Sequence, residues 1–157
     1  MKTALKVTAV VVPVVLVAMQ FIGRPEHANP PEDPSHVVSA TLKVPARVQD
    51  ILDRSCMDCH SHRTRWPWYS HVAPVSWLVA RDVEEGREEL NFSEWGTYSR
   101  KRQAARLEMI SVMVEKGEMP MKNYVLLHGE ATLSETDKDL LCTWAEELSD
   151  SLTAVAD

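Results

Sequence analysis

No stretch of this chain alternates apolar and polar residues for the length of a strand, and no segment repeats another. A sheet is therefore not expected, and an all-α fold is. No block of lysine or arginine is long enough to grip a phosphate backbone, so nucleic acid is not an expected partner. The formal net charge of −6 instead favours a basic protein partner through electrostatic steering, although it equally serves solubility. With 157 residues, 25% of them charged and 45% hydrophobic, the chain has the balance of one modest globular domain rather than of disorder. Cysteine is scarce: Cys56, Cys59 and Cys142 are the whole supply.

What is present is organised around Cys56-Met57-Asp58-Cys59-His60. Two cysteines separated by two residues, with histidine directly after, form the pattern of c-type haem attachment. Each residue type has its own task. The two thiols add across the haem vinyl groups as thioethers, and the adjoining imidazole reaches the iron as proximal ligand. One covalently attached haem c is the expected cofactor. Cys142 is then left alone on the last helix as a small buried apolar thiol, and no disulfide framework remains. Zinc or copper held by Cys56, Cys59, Cys142 and a histidine competes with this reading. A structural zinc site normally pairs two such knuckles, however, and only one is here.

Lys2 and Lys6 precede an apolar stretch from Val7 to Ile22, intermediate in length between a signal-peptide core and a membrane span of ~20 residues. No small-x-small cleavage site follows it, and no cysteine near Gly23 offers a lipoprotein anchor. An uncleaved signal anchor, a transmembrane helix over residues 1–23, is therefore favoured over a cleaved signal. Basic residues before the span orient the domain outward, which predicts a single-pass inner-membrane protein facing the periplasm. Residues 24–43, with Pro25, Pro30, Pro31 and Pro34, read as a Pro-rich periplasmic tether in which His27 and His36 are solvated. Residues 44–150 form the c-type haem-binding domain, and residues 151–157 a flexible tail.

Within the domain, Val48, Ile51 and Leu52 give the first helix its stripe, just before the cysteine motif. Trp66, Trp68 and Tyr69 crowd four positions around Pro67 and are expected to cover the haem, or to be ordinary core rings. Arg63 and Arg65 suit haem propionates or simply the surface. Further helices are predicted over Ala73 to Glu89 and over Arg100 to Lys116, where Met109 and Met113 read as core. Gly117 is the helix stop, and Ser134-x-x-Asp137 is a capping box for the last helix. For the far side of the iron, Met119 is the first choice: it follows a helix stop, is fixed by Pro120 and lies far along the chain. Met121 and His128 are the alternatives, with His62 and His71 behind them, and a gap-filling core methionine is the bland reading of either sulfur.

The chain resembles bacterial haem-binding domain proteins related to cytochrome c. The resemblance rests on Cys56 to Ser61, Trp66-Pro67-Trp68-Tyr69-Ser70, Ala73 to Trp77, Glu85-Gly86-Arg87, Asn91 to Trp95, Met119-Pro120, Tyr124, His128 and Trp144. It implies a small cytochrome c-like helical domain around one covalent haem, preceded by the N-terminal transmembrane helix. Haem attachment falls on Cys56 and Cys59, and iron ligation on His60. Members often continue Met-Pro with another proline, where Met121 stands here. The expected function is single-electron transfer rather than enzymatic turnover, as a tethered carrier or as a subunit of a respiratory or photosynthetic membrane complex. Its partners would be redox proteins or such a complex, with the membrane contacted through the N-terminal helix. The alternative is a haem-based enzyme subunit or gas or redox sensor with an open distal iron site.

Overall fold

The computed structural model describes residues 2–154. Among these residues there are helices and turns and no strand, as the missing alternation predicts. Helix α1 spans Lys2–Met19, α2 Val38–Thr41, α3 Ala46–Ser55, α4 Met57–His60, α5 Val75–Glu89, α6 Arg100–Glu115, α7 Lys122–Leu127 and α8 Glu135–Ala154. Of the expected tail, Ser151 to Ala154 belong to α8, and the remainder lies outside the described residues.

Local chemistry sets the helix ends. The hydroxyl of Ser99 accepts from the Arg102 amide at 3.3 Å and caps α6. Gly117, at φ +66°, turns the chain away after α6 while its own amide bonds Val114 O at 3.0 Å. Before α8 the capping box is reciprocal: the Ser134 amide donates to Asp137 Oδ2 at 3.0 Å, and the Asp137 amide donates to Ser134 Oγ at 3.1 Å. Arg54, at the end of α3, reaches this same box, with Nη2 2.9 Å from Asp137 Oδ2. It also donates to the carbonyls of Glu130 and Thr132, so one guanidinium buckles α3 to the start of α8.

The core lies between α3, α6 and α8. Val48, Ile51 and Leu52 of α3 pack with Leu107 and Val114 of α6 and Leu141, Trp144 and Ala145 of α8. Cys142 is buried on α8, as expected. The loop between α5 and α6 plugs this core. Phe92 and Trp95 are 1% and 0% exposed and stack with centroids 6.2 Å apart. At roughly 1.5–3 kcal/mol for each large apolar side chain fully buried, the loop contributes on the scale of a helix face.

The N-terminal region departs from expectation. Among the described residues no helix is long and apolar enough to cross a membrane, so neither the transmembrane helix nor the single-pass inner-membrane placement is supported. The physical reason is length. Lys6 lies inside α1, which ends at Met19, and Gln20 and Phe21 form a turn. The uncharged helix from Val7 to Met19 is roughly 20 Å long at ~1.5 Å per residue, short of a hydrocarbon core of ~30 Å.

Residues 24–43 are not a free spacer either. Val38 is buried in the core, its amide donates to Phe92 O at 2.9 Å, and the Gly96 amide donates to His36 O at 2.7 Å. Arg87 of α5 draws the segment inward. It donates to Ala28 O at 3.1 Å and Asn29 Oδ1 at 2.8 Å, and on its other side to Ser61 O at 2.8 Å. Prolines leave an extended chain with unpaired backbone carbonyls, and a fixed guanidinium is a ready partner for them.

Two outcomes are expected. Hydrogen bonds from Ser134, and after them Arg54, hold the Asp137 carboxyl below its ordinary value. Its stabilisation is therefore present above the unfolded value of ~3.9 and is lost as pH falls through the lower folded value. Asp137→Ala should cost about 1 kcal/mol at neutral pH and lose less stability than the parent on acidification, read by urea denaturation at the two pH values. A Cβ on Gly86 would lie 2.8 Å from Cys59 O. Gly86→Ala should therefore destabilise, because overpacking at about 1–3 kcal/mol exceeds the roughly 1 kcal/mol gained in helix propensity. A higher urea midpoint would contradict this.

Candidate functional site

Helix α3 breaks at Cys56, whose φ of −127° and ψ of −41° lie off the helical values. The chain then restarts as the single turn α4, in which the Cys59 and His60 amides bond Cys56 O at 3.2 and 2.9 Å. Spacings of three and four along this turn bring Cys56, Cys59 and His60 to one side. The absence of a Cβ on Gly86 lets α5 lie directly against Cys59.

That contact orients the histidine. His60 Nδ1 lies 2.8 Å from Gly86 O and 3.1 Å from Leu90 O, carbonyls at the C-terminal end of α5. Two acceptors require Nδ1 to carry the proton, which leaves Nε2 as the nitrogen available to a metal. Burial lowers the His60 pKa, outweighing the opposing effect of the two carbonyls, so the ring is held neutral. A neutral imidazole with a fixed tautomer is the form that ligates iron. Burial pushes both motif thiols up to about 12, and neighbouring negative groups add to the shift.

A cavity of about 270 Å³ opens beside this turn. Its walls are Cys56, His60, Leu52, Phe92, Ile110, Met113 and Leu141, closed by Met119 and Pro120. An adjoining cavity of about 200 Å³ shares Cys56, His60, Met119 and Pro120 and adds Cys59, Gly86 and Met121. Together they form one apolar cleft with two thiols, an imidazole and a thioether sulfur on its walls. That donor set and lining fit a haem. Met109 and Met113, expected in the core, line this cleft instead, and Met109 is 47% exposed.

The other candidates disperse. Met119 borders both cavities that His60 borders, and Met121 one of them. His128 borders neither; its Nδ1 is 3.1 Å from Tyr124 O and its Nε2 3.2 Å from Tyr69 Oη. Tyr69 and His128 instead face a third cavity of about 120 Å³, which also touches Asp58, Cys59 and Tyr124. Trp66 packs edge-on against His27, with centroids 4.6 Å apart, and its Nε1 is buried without a partner. His27 also meets His71 and so is not a solvated residue. Trp68 is 78% exposed. Neither tryptophan borders the cleft. His62 bonds Asn91, with Glu94 nearby. Arg65 forms a bidentate pair with Asp58, and Arg63 lies 3.4 Å from Glu32, so both guanidinia have partners within the chain.

Sequence reading missed Asp58, Gly86, Tyr124 and the Arg106–Glu89 pair, 2.9 Å apart at the cleft. Only their place among residues shared with the resembled family marked Gly86 and Tyr124. Among the described residues no three His, Cys, Asp or Glu side chains converge on a metal-sized site, which leaves the zinc or copper reading without a ligand set.

No curated protein and no solved structure gives a match to this chain. A haem-binding domain family matches residues 14–147, most of the chain and all of the cleft. The chain belongs to the haem-binding domain family, and its cofactor is haem.

Proposed function

We propose that this domain is a monohaem c-type electron carrier, with Cys56 and Cys59 bonded to the haem and with His60 and Met119 as its iron ligands. The observation that carries the proposal is the His60 ring, locked by two α5 carbonyls so that Nε2 alone is left for a metal, in a cleft that Met119 also borders. When bound, haem supplies a reversible one-electron ferric/ferrous couple. The residues of the chain do the rest. The Cys56 and Cys59 thiols would hold the haem through its vinyl groups as thioethers, each S–H hydrogen going to a vinyl carbon, so attachment would need no oxidant. Leu52, Phe92, Ile110 and Leu141 exclude water and keep the local dielectric low. As an iron ligand, the Met119 thioether would favour the reduced state and raise the potential relative to a second imidazole. No residue of the cleft is asked to transform a substrate.

The expected partner is a redox protein with a basic face, since the chain carries a net charge of −6. Association should then slow as salt shortens the Debye length from ~10 Å at 0.1 M to ~3 Å at 1 M.

Three measurements test the assignment. Mass spectrometry of the intact chain should show one haem retained under denaturing conditions, and Cys56→Ala with Cys59→Ala should lose it. The reduced protein should give sharp split visible bands and should bind carbon monoxide only slowly. Met119→Ala should bind carbon monoxide at once and shift the reduction potential downward. Immediate binding by the parent protein would instead support a sensor or enzyme with an open distal site.

A further inference from the structure

Asp58 sits in the spacer between the anchor cysteines, where attachment chemistry asks nothing of it. Its carboxylate is nevertheless among the most heavily bonded groups of the molecule, and the residue is 8% exposed. Oδ1 accepts from the Arg65 amide at 3.0 Å and from Arg65 Nε at 3.1 Å. Oδ2 accepts from Arg65 Nη2 at 3.1 Å and from Tyr124 Oη at 2.8 Å. A buried carboxylate is tolerated only when it is paired and hydrogen-bonded in this way. The bond to Tyr124 spans 66 residues of sequence, which no local turn requires.

Tyr124 lies in the first turn of α7, and α7 follows directly on Met119-Pro120-Met121. The loop is pinned at its start to α6, where the Met119 amide donates to Met113 O at 3.2 Å. At its far end the Tyr124 ring is stacked on His128, with centroids 4.1 Å apart, and its hydroxyl is fixed on Asp58. The first pin refers the loop to α6. The second refers it to the turn that carries His60.

We infer that Asp58 is a positioning residue: through Tyr124 it sets the spacing between the Met119 loop and His60, so the motif spacer holds the distal side of its own site. This rests on the reading of Met119 as distal ligand.

The test uses the full chain with haem and follows carbon monoxide binding to the reduced protein, which is limited by departure of the distal side chain. Tyr124→Phe keeps the ring and removes only the hydroxyl. It should raise the binding rate about tenfold, the scale of a lost hydrogen bond to a charged group, and should weaken the far-red absorption of the sulfur-ligated ferric form. Asp58→Ala should do the same, while Asp58→Asn, which retains an oxygen acceptor, should return the rate toward that of the parent. Arg65→Gln should lower stability but leave the rate within about twofold, because Tyr124 keeps its carboxylate. Parent-like rates and spectra in both Tyr124→Phe and Asp58→Ala would overturn the inference. So would an equal rise in Arg65→Gln, which would make general loosening the cause. Fast carbon monoxide binding by the parent, unchanged in Met119→Ala, would instead remove the distal-ligand reading, and this inference with it.

Discussion

The donation from His60 Nδ1 to the carbonyls of Gly86 and Leu90 is the contact on which the rest of the site depends. Gly86 O already accepts from the Leu90 amide at 3.0 Å and takes the imidazole proton as a second bond, while Leu90 O lies just past the helix end, where no later turn can donate to it. Here the helix end and the imidazole satisfy each other: α5 gains a terminating donor, and the ring gains a fixed tautomer. The arrangement works only because α5 comes close enough, and it comes close enough only because residue 86 has no side chain. The next residue, Arg87, then ties the loop after His60 and the N-terminal segment to the same helix. Three consecutive residues, Glu85-Gly86-Arg87, thus include one that admits the motif turn and one that fastens what surrounds it.

Features set by neighbours in sequence were legible there. The cysteine motif, the α3 stripe, the Gly117 stop and the Ser134–Asp137 box all depend on residues a few positions apart, and all stand where the pattern puts them. Features set across the fold were not legible. Phe92 and Trp95 look like loop aromatics until α3, α6 and α8 close over them. Asp58 looks like a spacer until Arg65 and Tyr124 arrive. Along α6, Leu107 faces the core and Met113 the cleft, while Ile110 and Val114 touch both, because that helix serves two partners. Apolarity alone cannot say which. The Trp-Pro-Trp-Tyr stretch shows the same limit: bulk predicts burial, but Trp66 turns to His27 while Trp68 stays in solvent.

The charged side chains near the site follow one rule. Arg65, Arg63, Arg87 and Arg54 each meet a carboxylate, carbonyl or hydroxyl of the chain itself. Arg65 closes a local loop on Asp58, seven residues away, whereas the other three join segments distant in sequence, and planar, multivalent guanidinium is suited to that where ammonium is not. The cleft is left apolar, with Arg106 and Glu89 paired beside it.

The root of α1 has a consequence for geometry. Gln20 closes a two-point amide clasp on Ala73, donating to its carbonyl at 3.1 Å and accepting from its amide at 3.0 Å. Trp77 adds a bond to Gly23 O at 2.9 Å. A single bond would leave a swivel; a clasp with a strut makes a bracket. The side chains of α1 from Ala4 to Ala18 are exposed, so any surface that takes up this apolar rod also fixes the heading of the domain.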